Sequence, residues 1–371
     1  MFRKPYMNRL SAIDAFSPAF ARVGTLLFQR FRLGIWLRFG LIGLLGGGLV
    51  TAGGGGGSNL NLQNLNSRFP SGQAPPEFAD IARAIRSIHL ADYIQYFVAG
   101  FIAIVVLALV FQYLFCRFRF ILFDAVVNGQ PEIRKGWNKY GSQANRYFGF
   151  WLAYRFTYWG ALFLVVGVPL LHAYKAGVFS RDNSLPELFA VFAPIGLSLL
   201  VMGICFAVVS TLVKDFVLPV LALDDFTLGD AWSAVWRVVS SEPGAWALYM
   251  VMKLVSAFLA GIAVGIAFVI ALIPSLIIVG IPAGILIGIG VFIIKAGSVV
   301  GGGILCGIAV LLIVAGIFFV LLLLSAPVSV FFASYAFYFF GGRYPKLAAL
   351  LWPQPIPPAP QPMMPGVRPA L

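Results

Sequence analysis

KLVSAFLAGIAVGIAFVIALIPSLIIVGIPAGILIGIGVFIIK, residues 253–295, sits inside a longer run, Ala245–Phe340, whose only charged residues are Lys253 and Lys295. No carboxylate occurs in that run. A domain facing water needs charges spread over its surface, whereas roughly 20 apolar residues already suffice to cross a bilayer. The stretch therefore marks an integral membrane protein. In lipid each backbone polar group must be satisfied within the chain, which a helix does alone, so the fold class is an all-α transmembrane bundle.

Working outward, the 371 residues are 60% hydrophobic and 11% charged, with a net charge of +13. In a soluble protein that excess would suggest nucleic acid. Here it fits positive loops beside the membrane and anionic lipid as partner, with no nucleic acid. Cys116, Cys205 and Cys306 lie in or beside apolar spans and share no metal-ligand spacing, so no disulfide framework is implied.

Six spans are expected, at about 33–52, 93–116, 147–173, 187–213, 245–273 and 303–330, in one domain covering 1–345. Lys and Arg on the stretches shared with the N-terminus outnumber those on the opposite stretches by roughly three to one, which places both termini in the cytoplasm. The inner (plasma) membrane is the expected location. Residues 53–92 read as an outer Gly/Asn-rich loop with a short amphipathic helix. The Pro/Gly-broken segment 274–302 reads as an outer or re-entrant apolar hairpin, with an eight-span path as the alternative. The Pro-rich tail, 346–371, reads as disordered and cytoplasmic.

Asp14-Ala15-Phe16-Ser17 recurs as Asp230-Ala231-Trp232-Ser233, and a fainter middle copy centres on Trp137. The pattern suggests three units, each an interfacial amphipathic helix followed by two spans. Thr227-Leu228-Gly229-Asp230 resembles a capping box that starts the third such helix.

Arg38, Arg155 and Lys253 each fall one to two turns inside an odd-numbered span. Cations there are costly at the bilayer centre and either snorkel or gather inward, where they would hold an anionic headgroup. Asp124 with Arg119, and Asp215 with Lys214, follow even-numbered spans and are candidates for interfacial ion pairs. No mid-span carboxylate suggests a proton relay. No residues are spaced for a metal, a cofactor or a catalytic nucleophile, so the protein is expected not to be an enzyme.

The segment Lys214-Asp215-Phe216-x-x-Pro219, followed by the Asp230-Ala231-Trp232-Ser233 helix and another span, resembles the membrane domain that accompanies some glycerophosphoryl diester phosphodiesterases. It is also similar to related uncharacterised six-helix prokaryotic membrane proteins. The likeness covers most of 13–345 and carries no catalytic residue, since the soluble barrel is missing. It implies architecture and at most an auxiliary role in lipid-headgroup metabolism. The expected function is a scaffold or lipid-associated protein; the alternative is a transporter or channel with a site near 274–302.

Overall fold

A computed structural model describes residues 9–29, 31–47, 90–175 and 185–352. Among these residues the chain is helical and contains no strand. Short helices α1 (Phe16–Val23), α2 (Leu33–Leu45), α4 (Ile133–Lys139), α9 (Leu228–Ser241) and α13 (Pro345–Leu351) accompany the long ones. The long ones are α3 (Leu90–Asn128), α5 (Gly141–Leu162) continuing into α6 (Val168–Lys175), and α7 (Leu185–Leu212) continuing into α8 (Leu218–Leu223). Finally α10 (Pro243–Ser275) runs on into α11 (Ile281–Lys295), and α12 (Val299–Gly341) returns. Five of these stretches are long and apolar enough to cross a membrane: Gln95–Asn128, Gly141–Lys175, Phe189–Leu223, Pro243–Lys295 and Val299–Gly341.

Three of the joins are π turns with a common cause. Phe163–Gly167, Val213–Val217 and Leu276–Gly280 each end two residues before a proline, at Pro169, Pro219 and Pro282. A proline has no N–H for the carbonyl four residues back, and its ring collides with that carbonyl. The wider turn relieves the collision: the N–H just before each proline bonds five residues back, as Leu218 does to Val213.

The long helices alternate in direction. Tyr147 meets Phe120 and Trp151 meets Phe115, so α5 runs antiparallel to α3. Tyr154 meets Phe206, while Lys214 lies over Trp151, which reverses α7 against α5. Tyr249 stacks on Tyr335 and Trp246 meets Phe339 edge to face, so α10 and α12 form a long antiparallel hairpin. The buried side chains concentrate at one end, where Phe120, Tyr147, Phe216, Tyr249, Tyr335 and Phe339 are fully enclosed. Toward the other end, Ile102, Phe156, Leu197, Phe258 and Ile278 point outward. Lipid tails are as apolar as those side chains, so helix association there gains little from burial. Aromatic packing at the packed end holds the bundle together.

The short helices tie that end down. The Thr227 hydroxyl accepts from the Asp230 N–H at 3.3 Å and donates to its carboxylate at 2.6 Å, the capping box expected for α9. Arg22 donates to the Val126 and Val127 carbonyls at the C-terminus of α3, at 2.7–3.1 Å. Arg343 donates to the Leu10 carbonyl at 3.1 Å, which places the start of the described chain beside the end of α12.

Several sequence expectations change. The first expected span, 33–52, contains α2, a helix of 13 residues, about 20 Å long at 1.5 Å per residue. Trp36 donates to the Leu323 carbonyl and Ser325 to the Gly40 carbonyl, a near-constant offset that makes α2 parallel to α12. It descends into the packed end rather than rising from it. The threefold repeat is therefore broken in its first unit, whereas the second and third share the order amphipathic helix, rising helix, descending helix. Residues 48–52 and the outer segment 53–89 lie outside the described residues.

The expected irregular hairpin at 274–302 is instead continuous helix to Lys295, a turn at Gly297 with φ 100°, and helix again from Val299. Pro274 falls in the last turn of α10, and the π turn absorbs Pro282, so neither proline ends the helix. Residues 346–351, the start of the expected disordered tail, belong to α13, whose Leu347 is buried. The rest of the tail lies outside the described residues.

A basic cleft between the helices as candidate functional site

At the packed end, α3, α5, the Val213–Val217 turn and α10 bring four cations together, with α2 and α12 closing the sides. The Asp215 carboxylate forms an ion pair with Lys253, both side chains 11% exposed. The same oxygen accepts from the Tyr249 hydroxyl at 2.8 Å. Tyr249 precedes Lys253 by one turn, so both reach one acceptor from a single face of α10. The carbonyl of Asp215 is the one that Pro219 cannot serve, and the π turn built around that defect turns its side chain toward α10.

Beside this triad lies a cavity of ≈ 50 Å³ lined by Gly46, Arg119, Lys214, Asp215 and Ser329 together with apolar side chains of α3 and α12. Arg119 is held by its Nε, which donates to the Gly46 carbonyl at 3.0 Å, and by the Phe115 ring beneath its guanidinium at 5.0 Å. Gly46 offers that carbonyl because α2 ends there. The next residue, Gly47, has φ 79°, a left-handed conformation suited to glycine, and a Cβ on it would run into the Phe115 ring. The C-terminal end of the α2 dipole thus faces a cation.

Lys214 lies over the Trp151 ring at 5.1 Å and, among the described residues, makes no hydrogen bond or ion pair. Arg119, Arg155 and Lys253 are near enough to repel its charge, and Asp215 attracts it. The Tyr147 hydroxyl, fully buried, lies next to Arg119 and Trp151. Neither it nor the Trp151 indole N–H has a partner in hydrogen-bond geometry. Unpaired buried donors each carry a desolvation cost of about 1–3 kcal/mol. Four cations near one carboxylate form an arrangement suited to an anion.

The expected site residues separate. Arg119 and Lys214, named only as ion-pair partners, line the cleft; Lys253 joins it through Asp215, and Arg155 lies close by but exposed. Arg38 does not belong to the cleft: it is exposed on α2 and has no polar partner among the described residues. Both expected pairings are corrected. Asp215 pairs with Lys253 on a different helix, because its immediate neighbour Lys214 points to α5. Asp124 pairs with Lys139 at 2.9 Å and Tyr140 at 2.8 Å, while Arg119 is taken by Gly46. Burial pushes the Tyr140 phenol up to about 12, so it remains a donor to Asp124 through the neutral range.

Tyr249 was not singled out by sequence, and Tyr147 and Trp151 read from sequence only as interfacial-belt and packing aromatics. The i, i+4 spacing of Tyr249 and Lys253 was the available signal; nothing in the sequence could bring α5 against Lys214. Among the described residues no group of three His, Cys, Asp or Glu could hold a metal ion.

Fold and site define an all-helical bundle with five helices able to cross a membrane and a basic cleft enclosed at one end. The chain belongs to DUF7544, a family of unknown function, which it matches over residues 10–350. No curated protein and no solved structure matches it.

Proposed function

We propose that the chain is a non-enzymatic, lipid-associated protein of the inner membrane, with both termini cytoplasmic, whose basic cleft receives an anionic headgroup. One observation carries this reading: Arg119 and Lys214 line one cavity whose only carboxylate, Asp215, is already paired with Lys253, and Arg155 adds positive charge nearby. Cations are expensive inside the hydrocarbon, about 2.5–3.5 kcal/mol each at the centre, so gathering four of them calls for a counter-charge. The surplus of basic residues facing the expected cytoplasmic side adds attraction to the anionic leaflet.

The segment proposed for a transport site, Pro274–Gly302, favours the lipid reading. Gly290 lies against Gly302 and Cys306, so closely that a Cβ there would strike both. The likeness to membrane domains of glycerophosphoryl diester phosphodiesterases enters as a role beside headgroup metabolism, without catalysis by this chain. Native mass spectrometry of the detergent-extracted protein tests the proposal. Anionic lipid is expected to remain bound to the wild type and to be lost from Arg119→Gln/Lys214→Gln. Equal retention by both would overturn it.

A further inference from the structure

Resting on that reading, we infer that the cleft selects a dianionic phosphate monoester over a phosphodiester. The inference uses the size of the cavity, its charge and its free donors.

The cavity measures ≈ 50 Å³. A site for one water needs roughly 10–15 Å³ on that measure, so about three to five oxygen-sized positions are available. That accommodates a terminal phosphoryl group whose single substituent leaves through the open side of the cleft. Charge points the same way. Asp215 is committed to Lys253 and Tyr249. Arg119, Lys214 and the nearby Arg155 then have no described counter-ion. A monoester carries about −1.5 to −2 at neutral pH, closer to that surplus than the single charge of a diester.

The donors are also sufficient. Lys214 has three N–H groups without a hydrogen-bond partner, and Arg119 uses only its Nε. Planar guanidinium and mobile ammonium together suit a tetrahedral anion with several free oxygens. A diester presents two such oxygens, and both of its substituents would have to leave through that one opening.

The chemistry is shared by a lipid with a phosphomonoester headgroup and by free phosphate, and the test separates them. Full-length protein in nanodiscs is exposed to phosphatidic acid or phosphatidylglycerol at equal mole fraction, and bound lipid is counted by native mass spectrometry. Phosphatidic acid is expected to exceed phosphatidylglycerol about tenfold, equivalent to about 1.4 kcal/mol, from one further charge near two cations. The excess should vanish in Lys214→Gln, and in Arg155→Gln if the first variant fails to fold. Displacement of the lipid by millimolar inorganic phosphate would assign the site to the free anion, and resistance to it would assign the site to lipid. Equal retention of both lipids, lost together in the variants, would overturn monoester selection and leave the headgroup reading standing. Retention of both lipids unchanged by the variants would overturn both.

Discussion

Lys253, on the rising helix α10, closes an ion pair with Asp215, on a π turn that exists because Pro219 follows four residues later. Backbone defect and buried charge are thus two parts of one feature. The turn presents the carboxylate sideways, and the lysine that meets it could not otherwise remain in an apolar stretch.

Removing one partner should cost more than removing both. Asp215→Asn leaves a buried ammonium without its counter-ion and is expected to destabilise the protein by about 3–5 kcal/mol, whereas Asp215→Asn/Lys253→Met should recover most of that loss. Thermal unfolding in detergent, compared across the two singles and the double, measures the coupling. A double no better than the worse single would show that the pair is not the source.

Pro219→Ala restores an N–H to the position and removes the ring that forces the wide turn. The segment can then close into regular α-helix, turning Asp215 by about 100° relative to the residues after it. The expected result is greater reactivity of Lys253 toward an amine reagent and lower thermal stability, although a helix-breaking residue has been removed. Unchanged reactivity would mean that the π turn is held by the packing of Phe216 instead.

Helix α2 is fitted to α12 through glycine. A Cβ on Gly40 would enter the Leu322 backbone, and one on Gly43 would strike the Ser329 hydroxyl. Gly40→Ala should separate the two helices and cost about 1–3 kcal/mol; Gly34→Ala, where nothing lies within reach, should be neutral or slightly stabilising. Melting temperatures of the two variants, measured side by side, should differ in that order.

The Arg22 guanidinium satisfies carbonyls at the end of α3 that have no N–H of their own. Arg22→Met keeps the stem and removes the donors, and is expected to cost about 1–3 kcal/mol. Hydrogen exchange should quicken first at Val126–Gly129, before any change in α5 or α10. Loss spread evenly over the bundle would instead indicate a global role.

Directions of the long helices predict a labelling pattern. Ser11 and Lys346 lie at the packed end, while Lys295 lies at the far end of the α10–α11 and α12 hairpin. Cysteines introduced at 11 and 346 should react with an impermeant thiol reagent from the same face of a sealed vesicle, and one at 295 from the opposite face. Reaction of all three from one face would require the hairpin to fold back.

The helical class and the start of α9 were legible in the sequence because each depends on residues close together. A carboxylate-free run, a Thr-x-x-Asp cap and the spacing of charges are local signals, and hydropathy alone separates lipid-facing from water-facing chain. Pairing is not local. Sequence proximity assigned Asp215 to Lys214 and Asp124 to Arg119; the bundle instead brings in Lys253 and Lys139, because helix residues one apart point about 100° from each other and residues five apart about 140°. The direction of α2 was hidden for a related reason. Thirteen apolar residues read the same whether they rise or descend, and only the fit of Gly40 and Gly43 against α12 decides. Composition determined that this chain belongs in a membrane. Tertiary structure decided that its scattered cations form one cleft, since that requires faces of several helices to meet and no single segment encodes the meeting.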